Sequence, residues 1–359
     1  MHKSQVGAFY HPELDVLRFV AFFAVFLSHG LPASSTYTLA GATIRAFSLG
    51  LPLFFCLSAF LITKLLLLER ARTGSVDLRK FYTRRLLRIW PLYLSMLAIS
   101  AGISALHRTL HITWPWYVAA FLMFGNAFWW IQTTVTHLWS ISVEEQFYLF
   151  WPAVVRKVSK RMLLLTVLGT IAASQLMLVR FGLLSAPQDT RIWANTIVQG
   201  QFFAVGILFA LGEGEVRVNK HLTRLILFVA ALATCFISVY KLHAFSNPGE
   251  LAVGPLQLCF GYALAAFGCL LLLISLYRTS HWPASFVYLG KVSYGLYVFH
   301  GISLTTGQYL FLRFGRLTSL SASFAMDVAL AACSYRLIET PFLRLKQRYE
   351  VVQSRPVNT

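Results

Sequence analysis

The sequence predicts an all-α polytopic membrane protein: a bundle of about ten transmembrane helices plus one re-entrant or interfacial segment. Three observations carry that prediction. Hydrophobic residues make up 57% of the 359 and charged residues only 12%, whereas a soluble domain carries about a quarter charged residues. Apolar runs of membrane length recur from end to end. The basic excess, 31 Lys+Arg against 13 Asp+Glu, falls in short clusters between those runs. Such clusters read as positive-inside loops rather than as a nucleic-acid surface, so no nucleic-acid partner is expected. The five cysteines (Cys56, Cys235, Cys259, Cys269, Cys333) sit inside apolar runs without metal-ligand spacing, and no metal site is expected. The first apolar run is of membrane length and is interrupted by Arg18, which argues against a cleavable leader.

At roughly 20 residues per crossing, the spans are placed near Leu14–Leu31, Ala46–Leu68, Leu86–Leu106, His137–Val155 and Met162–Phe181. Five more follow near Ile192–Leu211, Leu222–Leu242, Leu251–Leu276, Phe286–Leu304 and Leu320–Ile338. Trp114–Trp130, broken by Pro115 and rich in aromatics, is the interfacial piece. The whole reads as one membrane domain over residues 1–345 with a cytoplasmic tail over 346–359. Orientation follows from the basic residues. The linker between the second and third spans holds Arg70, Arg72, Arg79, Lys80, Arg84 and Arg85, and is placed inside. Arg156, Lys157, Lys160 and Arg161 mark a second inside loop, Arg217, Lys220 and Arg224 a third, and Arg278 with Lys291 a fourth. The tail, with Arg344, Lys346 and Arg348, also lies inside. Pro32–Thr43, Ser185–Thr190 and His243–Glu250 are poor in Lys and Arg and suit the outside. Both termini are then cytoplasmic, and Arg313 with Arg316 is the one loop that breaks the rule.

Ionisable residues inside spans are costly in hydrocarbon and so mark candidate sites. Arg18 and His29 lie eleven residues apart, almost three helical turns, so they share a face about 16 Å apart along the axis. The bland reading makes Asp15 and Arg18 an i,i+3 pair at a helix end and His29 a satisfied interfacial histidine. The segment His137-Leu-Trp-Ser-Ile-Ser-Val-Glu-Glu-Gln-Phe-Tyr148 puts Glu144, Glu145 and Gln146 at the heart of an apolar span. Its Ser140, Glu144 and Tyr148 fall at i, i+4 and i+8 as one polar stripe. Adjacent carboxylates there must be paired, protonated or turned to a wet cavity; an interhelical hydrogen-bond device is the structural alternative. Ser58, among apolar neighbours, reads on its own as a packing residue. Arg84, Arg85 and Arg88 open the third span as either a snorkelling topogenic cluster or an anion site.

Taken in order, these residues resemble the acyltransferase 3 family of integral-membrane acyltransferases. The resemblance covers nearly the whole chain: Leu14-Asp-Val-Leu-Arg18, the Arg18-to-His29 spacing, Phe54–Phe60, Arg85–Arg88 before Trp90-Pro91, and Trp139–Tyr148, the most specific block. Leu289–His300 and Tyr335–Pro341 close the series. Ala59 stands where the family usually has Gly, which predicts a slightly less close backbone approach. The resemblance implies transfer of an acyl group, commonly acetyl from acetyl-coenzyme A as co-substrate with no tightly bound cofactor. The acceptor would be a hydroxyl of a surface carbohydrate or its lipid-linked precursor, at the inner membrane of a bacterium. His29 would serve as general base or transient acyl carrier, Glu144 would orient it, and Arg18 would stabilise developing charge or part of the donor. Arg84, Arg85 and Arg88 would hold the donor's phosphates, with Ser58 lining its channel.

Two rival classes remain at this stage. A carrier would also place Arg, His and Glu inside the membrane, although no inverted repeat or pair of broken helices is visible in the sequence. A purely structural partner in polysaccharide export explains the polar stripe less well.

Overall fold

In a computed structural model of the chain, residues 9–32, 38–106, 114–128, 135–184, 191–214, 216, 218, 220–245 and 253–353 are described, and no strand occurs among them. The helices are α1 (Pro12–Gly30), α2 (Leu39–Ala46), α3 (Gly50–Thr73), α4 (Leu78–Leu106), α5 (Trp114–Phe121), α6 (Trp139–Lys157), α7 (Lys160–Leu183) and α8 (Arg191–Ala194). They continue with α9 (Thr196–Gly212), α10 (His221–Tyr240), α11 (Pro255–Leu276), α12 (Ala284–Lys291), α13 (Ser293–Phe311), α14 (Arg316–Ser334) and α15 (Thr340–Gln347). Local chemistry sets many of the boundaries. Thr38, Ser159 and Asn195 cap α2, α7 and α9 by accepting from backbone N–H groups of the first turn. Gly74, at φ 79°, closes α3 in the left-handed region that only glycine enters freely.

Six helical stretches are long and apolar enough to cross a membrane: Leu39–Thr73, Leu78–Ala105, Lys160–Leu183, His221–Tyr240, Pro255–Leu276 and Arg316–Gln347. The last joins α14 to α15 through a π-helical turn at Tyr335–Glu339. The remaining predicted stretches fall on α1, α6, the shorter apolar helix α9, and α12–α13. Polar residues dilute most of these: Glu13, Asp15 and Arg18 in α1, and Glu144 and Glu145 in α6. The predicted single span Phe286–Leu304 is corrected, because it breaks at Val292 into α12 and α13. Gly290 explains the break. A Cβ there would collide with the carbonyl of Asp15, so glycine lets α12 lie directly on α1 while α13 runs beside α14.

Trp114–Trp130 breaks into α5 and a single 3₁₀ turn at Gly125–Phe128, both far shorter than the roughly 20 residues a crossing takes. Trp129 and Trp130 lie outside the described residues, as do the predicted outer loop Ser185–Thr190, Arg217, residues 33–37 and 246–250 of two other predicted outer loops, and tail residues 354–359.

The core centres on α3, whose Phe55, Cys56, Leu57, Ala59 and Phe60 are buried. α7 and α10 face outward with Leu165, Leu168, Leu176, Leu222, Leu225 and Val229 exposed, the apolar exterior that a bilayer solvates. The close approach at Ala59 is supplied from the other side: Gly206 of α9 lies on the Cys56 carbonyl, and a Cβ there would sit 3.1 Å from the Ala59 Cβ. Several basic residues read as topogenic also terminate helices. Arg70 donates to the carbonyls of Val155 (2.8 Å) and Val158 (2.6 Å) at the end of α6. Arg224 donates to Ser275 (3.0 Å) and Tyr277 (2.8 Å) at the end of α11. Both satisfy carbonyls that a helix leaves without partners.

Candidate active site

The polar stripe of α6 faces a cavity of about 110 Å³, and Ser140, Glu144 and Tyr148 all line it. Across from them α3 presents Ser58. The Tyr148 hydroxyl donates to Ser58 Oγ at 3.1 Å, and Ser58 Oγ donates to Glu144 Oε1 at 2.6 Å. Of the three adjacent polar residues, Glu144 is therefore the one in the cavity. Gln146 is the interhelical device: it donates to the Met123 carbonyl and to Asn126 Oδ1, and accepts from Thr196 Oγ1 at 2.6 Å.

The same cavity is basic at one end, where Arg18, Arg85, Arg88 and Lys346 converge from α1, α4 and α15. Arg85 lies over the rings of Phe81 and Tyr148, 5.6 and 5.3 Å from their centroids, and its Nε is buried without a hydrogen-bond partner. Arg18 makes the anticipated local pair, Nη1 to Asp15 Oδ1 at 2.8 Å, and still lines the cavity. Arg84 does not line it. Its Nη2 is paired with Glu69 Oε2 at 2.9 Å and its Nη1 donates to the Tyr349 carbonyl at 2.8 Å. Being adjacent in sequence to Arg85, it is turned by the helix about 100° away, toward the tail.

Toward the other end of α1 lies a second cavity of about 480 Å³, into which His29 opens. His137 and His300 line it too and are almost fully buried. His29 Nδ1 is 2.9 Å from His300 Nε2, and His300 Nδ1 is 2.7 Å from the Tyr297 carbonyl oxygen. A carbonyl oxygen only accepts, so His300 carries its proton on Nδ1 and, as a neutral ring, accepts at Nε2. His29 then donates from Nδ1, which leaves its Nε2 lone pair unshared. His137 donates from Nε2 to the Val298 carbonyl at 3.2 Å and packs against His300 with ring centroids 4.2 Å apart. The mouth is polar but uncharged among the described residues, with Trp139, Trp193, Ser28, Thr136 and Gln308.

Two residues, Leu51 and Tyr297, line both cavities and separate them. The Tyr297 hydroxyl is held twice, 2.6 Å from Ser140 Oγ and 2.9 Å from the His137 carbonyl, and its ring meets Phe54 edge-on at 5.9 Å.

The structure thus brings Arg18, Ser58, Arg85, Arg88 and Glu144 together and places His29 beyond a partition. The anticipated pairing of Glu144 with His29 is corrected: Glu144 bonds Ser58, and His300 occupies the orienting position. His300, His137, Tyr297 and Lys346 had no assigned role in the sequence. Two of them had a signal, being histidines inside apolar segments, but their meeting depends on helices more than 150 residues apart in the chain.

A family model described as an acyltransferase domain matches residues 11–336. The chain is 25% identical to "Putative O-acetyltransferase SAS0844" of Staphylococcus aureus strain MSSA476 over 93% of its own length. It is likewise 25% identical to "O-acetyltransferase OatA" of S. aureus strain NCTC 8325 / PS 47 over 92%. It spans 57% of the length of each of these relatives. No solved structure matches.

Proposed function

The chain belongs to the acyltransferase 3 family, and on that premise we propose that it is a membrane O-acyltransferase moving an acetyl group from cytosolic acetyl-coenzyme A to a carbohydrate hydroxyl on the far side of the membrane. The acceptor is a surface or exported glycan or its lipid-linked precursor. The observation that supports this best is the pair of cavities: a basic one, and one into which His29 presents an unshared Nε2.

In this reading α1, α6, α9 and α13 cross alongside the six apolar stretches. They tolerate polar residues because those residues face the interior and not lipid. The basic mouth is cytosolic, as the Lys and Arg clusters require, both termini lie on that side, and the histidine cavity faces outward. Arg85, Arg88 and Lys346 hold the donor's phosphates by charge-assisted hydrogen bonds, and Arg18 adds positive charge deeper in. Glu144 and Ser58 offer polar atoms to the amides of the pantetheine arm, whose thioester end reaches Leu51 and Tyr297.

At the partition the chemistry is a single acyl transfer. His29 Nε2 takes the proton of the acceptor hydroxyl as its oxygen attacks the thioester carbonyl. The carbon–sulfur bond breaks, an ester forms, and the departing thiolate receives the proton from His29. His300 fixes the His29 ring in the tautomer that makes Nε2 the base, the role a carboxylate has in triad-type sites.

The test is turnover of acetyl-coenzyme A, labelled in the acetyl group, by the purified protein in liposomes loaded with oligosaccharide. Wild type is expected to release coenzyme A and label the sugar, and His29→Ala, inserted normally, to do neither. Full activity in His29→Ala removes the mechanism. Failure of wild type with acetyl- and longer acyl-coenzyme A donors removes the enzymatic reading.

A further inference from the structure

We propose that the partition formed by Leu51 and Tyr297 is the acyl-length selector of this enzyme, with Leu51 as its adjustable wall; the inference rests on the acyltransferase reading above. With the donor on the basic side and His29 on the other, the acyl carbon must come to the boundary that both cavities share. Among the described residues that boundary consists of Leu51 and Tyr297.

The two walls differ in stiffness. Tyr297 is fixed, because its hydroxyl bonds both Ser140 Oγ and the His137 carbonyl and its ring is braced by Phe54. Shifting it would break two buried hydrogen bonds and disturb the carbonyl that holds His300, which is its own. Leu51 has no polar tie. Its backbone is nonetheless set firmly: it sits in the first turn of α3 between Gly50 and Pro52, and a Cβ at Gly50 would collide with the Ala21 carbonyl of α1. The isobutyl group of Leu51 therefore projects from a rigid backbone and is itself nearly fully buried, at 7% exposure.

On the donor side the space next to this wall is tight. The basic cavity holds only about 110 Å³, and its inner end is apolar, with Phe54, Phe55 and Ile141. The histidine cavity beyond is about 480 Å³. Room for the acceptor is ample, while room for a chain growing from the thioester carbonyl is not. In an apolar slot one surplus methylene is worth about 10- to 200-fold in kcat/KM. The wild type is therefore specific for the shortest acyl group, and the ranking resides in Leu51.

The transfer conserves atoms whichever acyl group is used: thioester and alcohol become ester and thiol, the hydroxyl proton passing through His29 to the sulfur. Only the space occupied by the acyl tail changes. Deleting about three methylene-sized groups in Leu51→Ala makes room for propionyl and butyryl groups, and Leu51→Phe narrows the slot further.

The experiment compares acetyl-, propionyl- and butyryl-coenzyme A in the liposome assay, reading thiol release and ester formation on a panel of neutral and acidic oligosaccharides. Ratios between acyl groups within each variant cancel differences in the amount of folded protein. Wild type is expected to lose about tenfold or more per added methylene, and Leu51→Ala to bring butyryl within about threefold of acetyl. Leu51→Val, a milder deletion, is expected to rescue propionyl but not butyryl, and it decides the matter if Leu51→Ala is inactive. Unchanged ratios in Leu51→Ala, or in Leu51→Val if only that variant is active, overturn the selector while leaving the transferase reading intact. Wild type without turnover on any of the three donors overturns the transferase reading and the selector with it.

Discussion

His29 and His300 lie on α1 and α13, 271 residues apart in sequence, and share a hydrogen bond of 2.9 Å from Nδ1 of the first to Nε2 of the second. The Tyr297 carbonyl sets its direction by claiming the Nδ1 proton of His300. If that bond selects the His29 tautomer, His300→Ala should lower kcat by about 10²-fold or more with little change in KM for the donor. His300→Gln places an amide oxygen that can accept from His29 Nδ1 and should recover part of the rate. Steady-state kinetics on both variants check this; equal loss in the two would reduce His300 to a packing residue.

The three arginines at the start of α4 should separate by function. Arg88→Ala, which removes a cation from the basic cavity, is expected to raise KM for acyl-coenzyme A about tenfold, in the range of a charge-assisted hydrogen bond. Arg84→Ala leaves the carboxylate of Glu69 buried without its cation and should cost about 3 kcal/mol of stability while KM stays near wild type. Thermal unfolding in detergent beside donor titrations distinguishes the two.

Glu144 and Ser58 form the polar wall of the donor cavity. Ser58→Ala removes the 2.6 Å hydrogen bond to Glu144, worth about 1.5–3 kcal/mol for a charged acceptor, and should weaken donor binding by about tenfold or more. Glu145→Gln, whose side chain does not line that cavity, should leave donor affinity within about threefold. Isothermal titration with a non-hydrolysable acyl-coenzyme A analogue reads both.

Much of this was legible in the sequence because the bilayer imposes simple rules. The polar stripe Ser140–Glu144–Tyr148 follows from helical spacing alone, and all three residues do face one cavity. The placement of most helices follows from apolar run length, and Arg85 and Arg88 follow from a basic cluster at a helix start. Tertiary pairing was not legible. Nothing local tells Glu144 to bond Ser58 and not His29, or Arg84 to turn to Glu69, since both choices satisfy the same charge. The break at Val292 was hidden because Gly290 and Lys291 sit in an otherwise span-like run; it is the contact of Gly290 with α1 that requires it. The three-histidine cluster depends on long-range packing that no periodicity encodes.

A carboxylate outside the spans gives a pH signature. Glu213, just after α9, accepts from Lys64 Nζ (2.5 Å), the Tyr277 hydroxyl (2.7 Å) and Arg278 Nη2 (2.6 Å). Burial alone would raise its pKa, but those hydrogen bonds and the two cations outweigh it and hold the pKa below the ordinary glutamate value. A pKa depressed by folding means the stabilisation is fully present above the unfolded value, about 4.3, and is lost as pH falls through the folded one. Melting temperature should therefore drop below about pH 4 in wild type, and Glu213→Gln should be less stable at neutral pH with a flatter acid limb. Parallel acid limbs in the two proteins would count against the assignment.

The central claim is that the acyl group, and not the donor, passes between the two cavities. The direct measurement is a sided one: proteoliposomes with the basic face outward, labelled acetyl-coenzyme A outside, and oligosaccharide trapped inside. The account predicts labelled sugar in the lumen with all free coenzyme A remaining outside, both abolished in His29→Ala. Label appearing only on sugar supplied outside, or coenzyme A accumulating in the lumen, would contradict it.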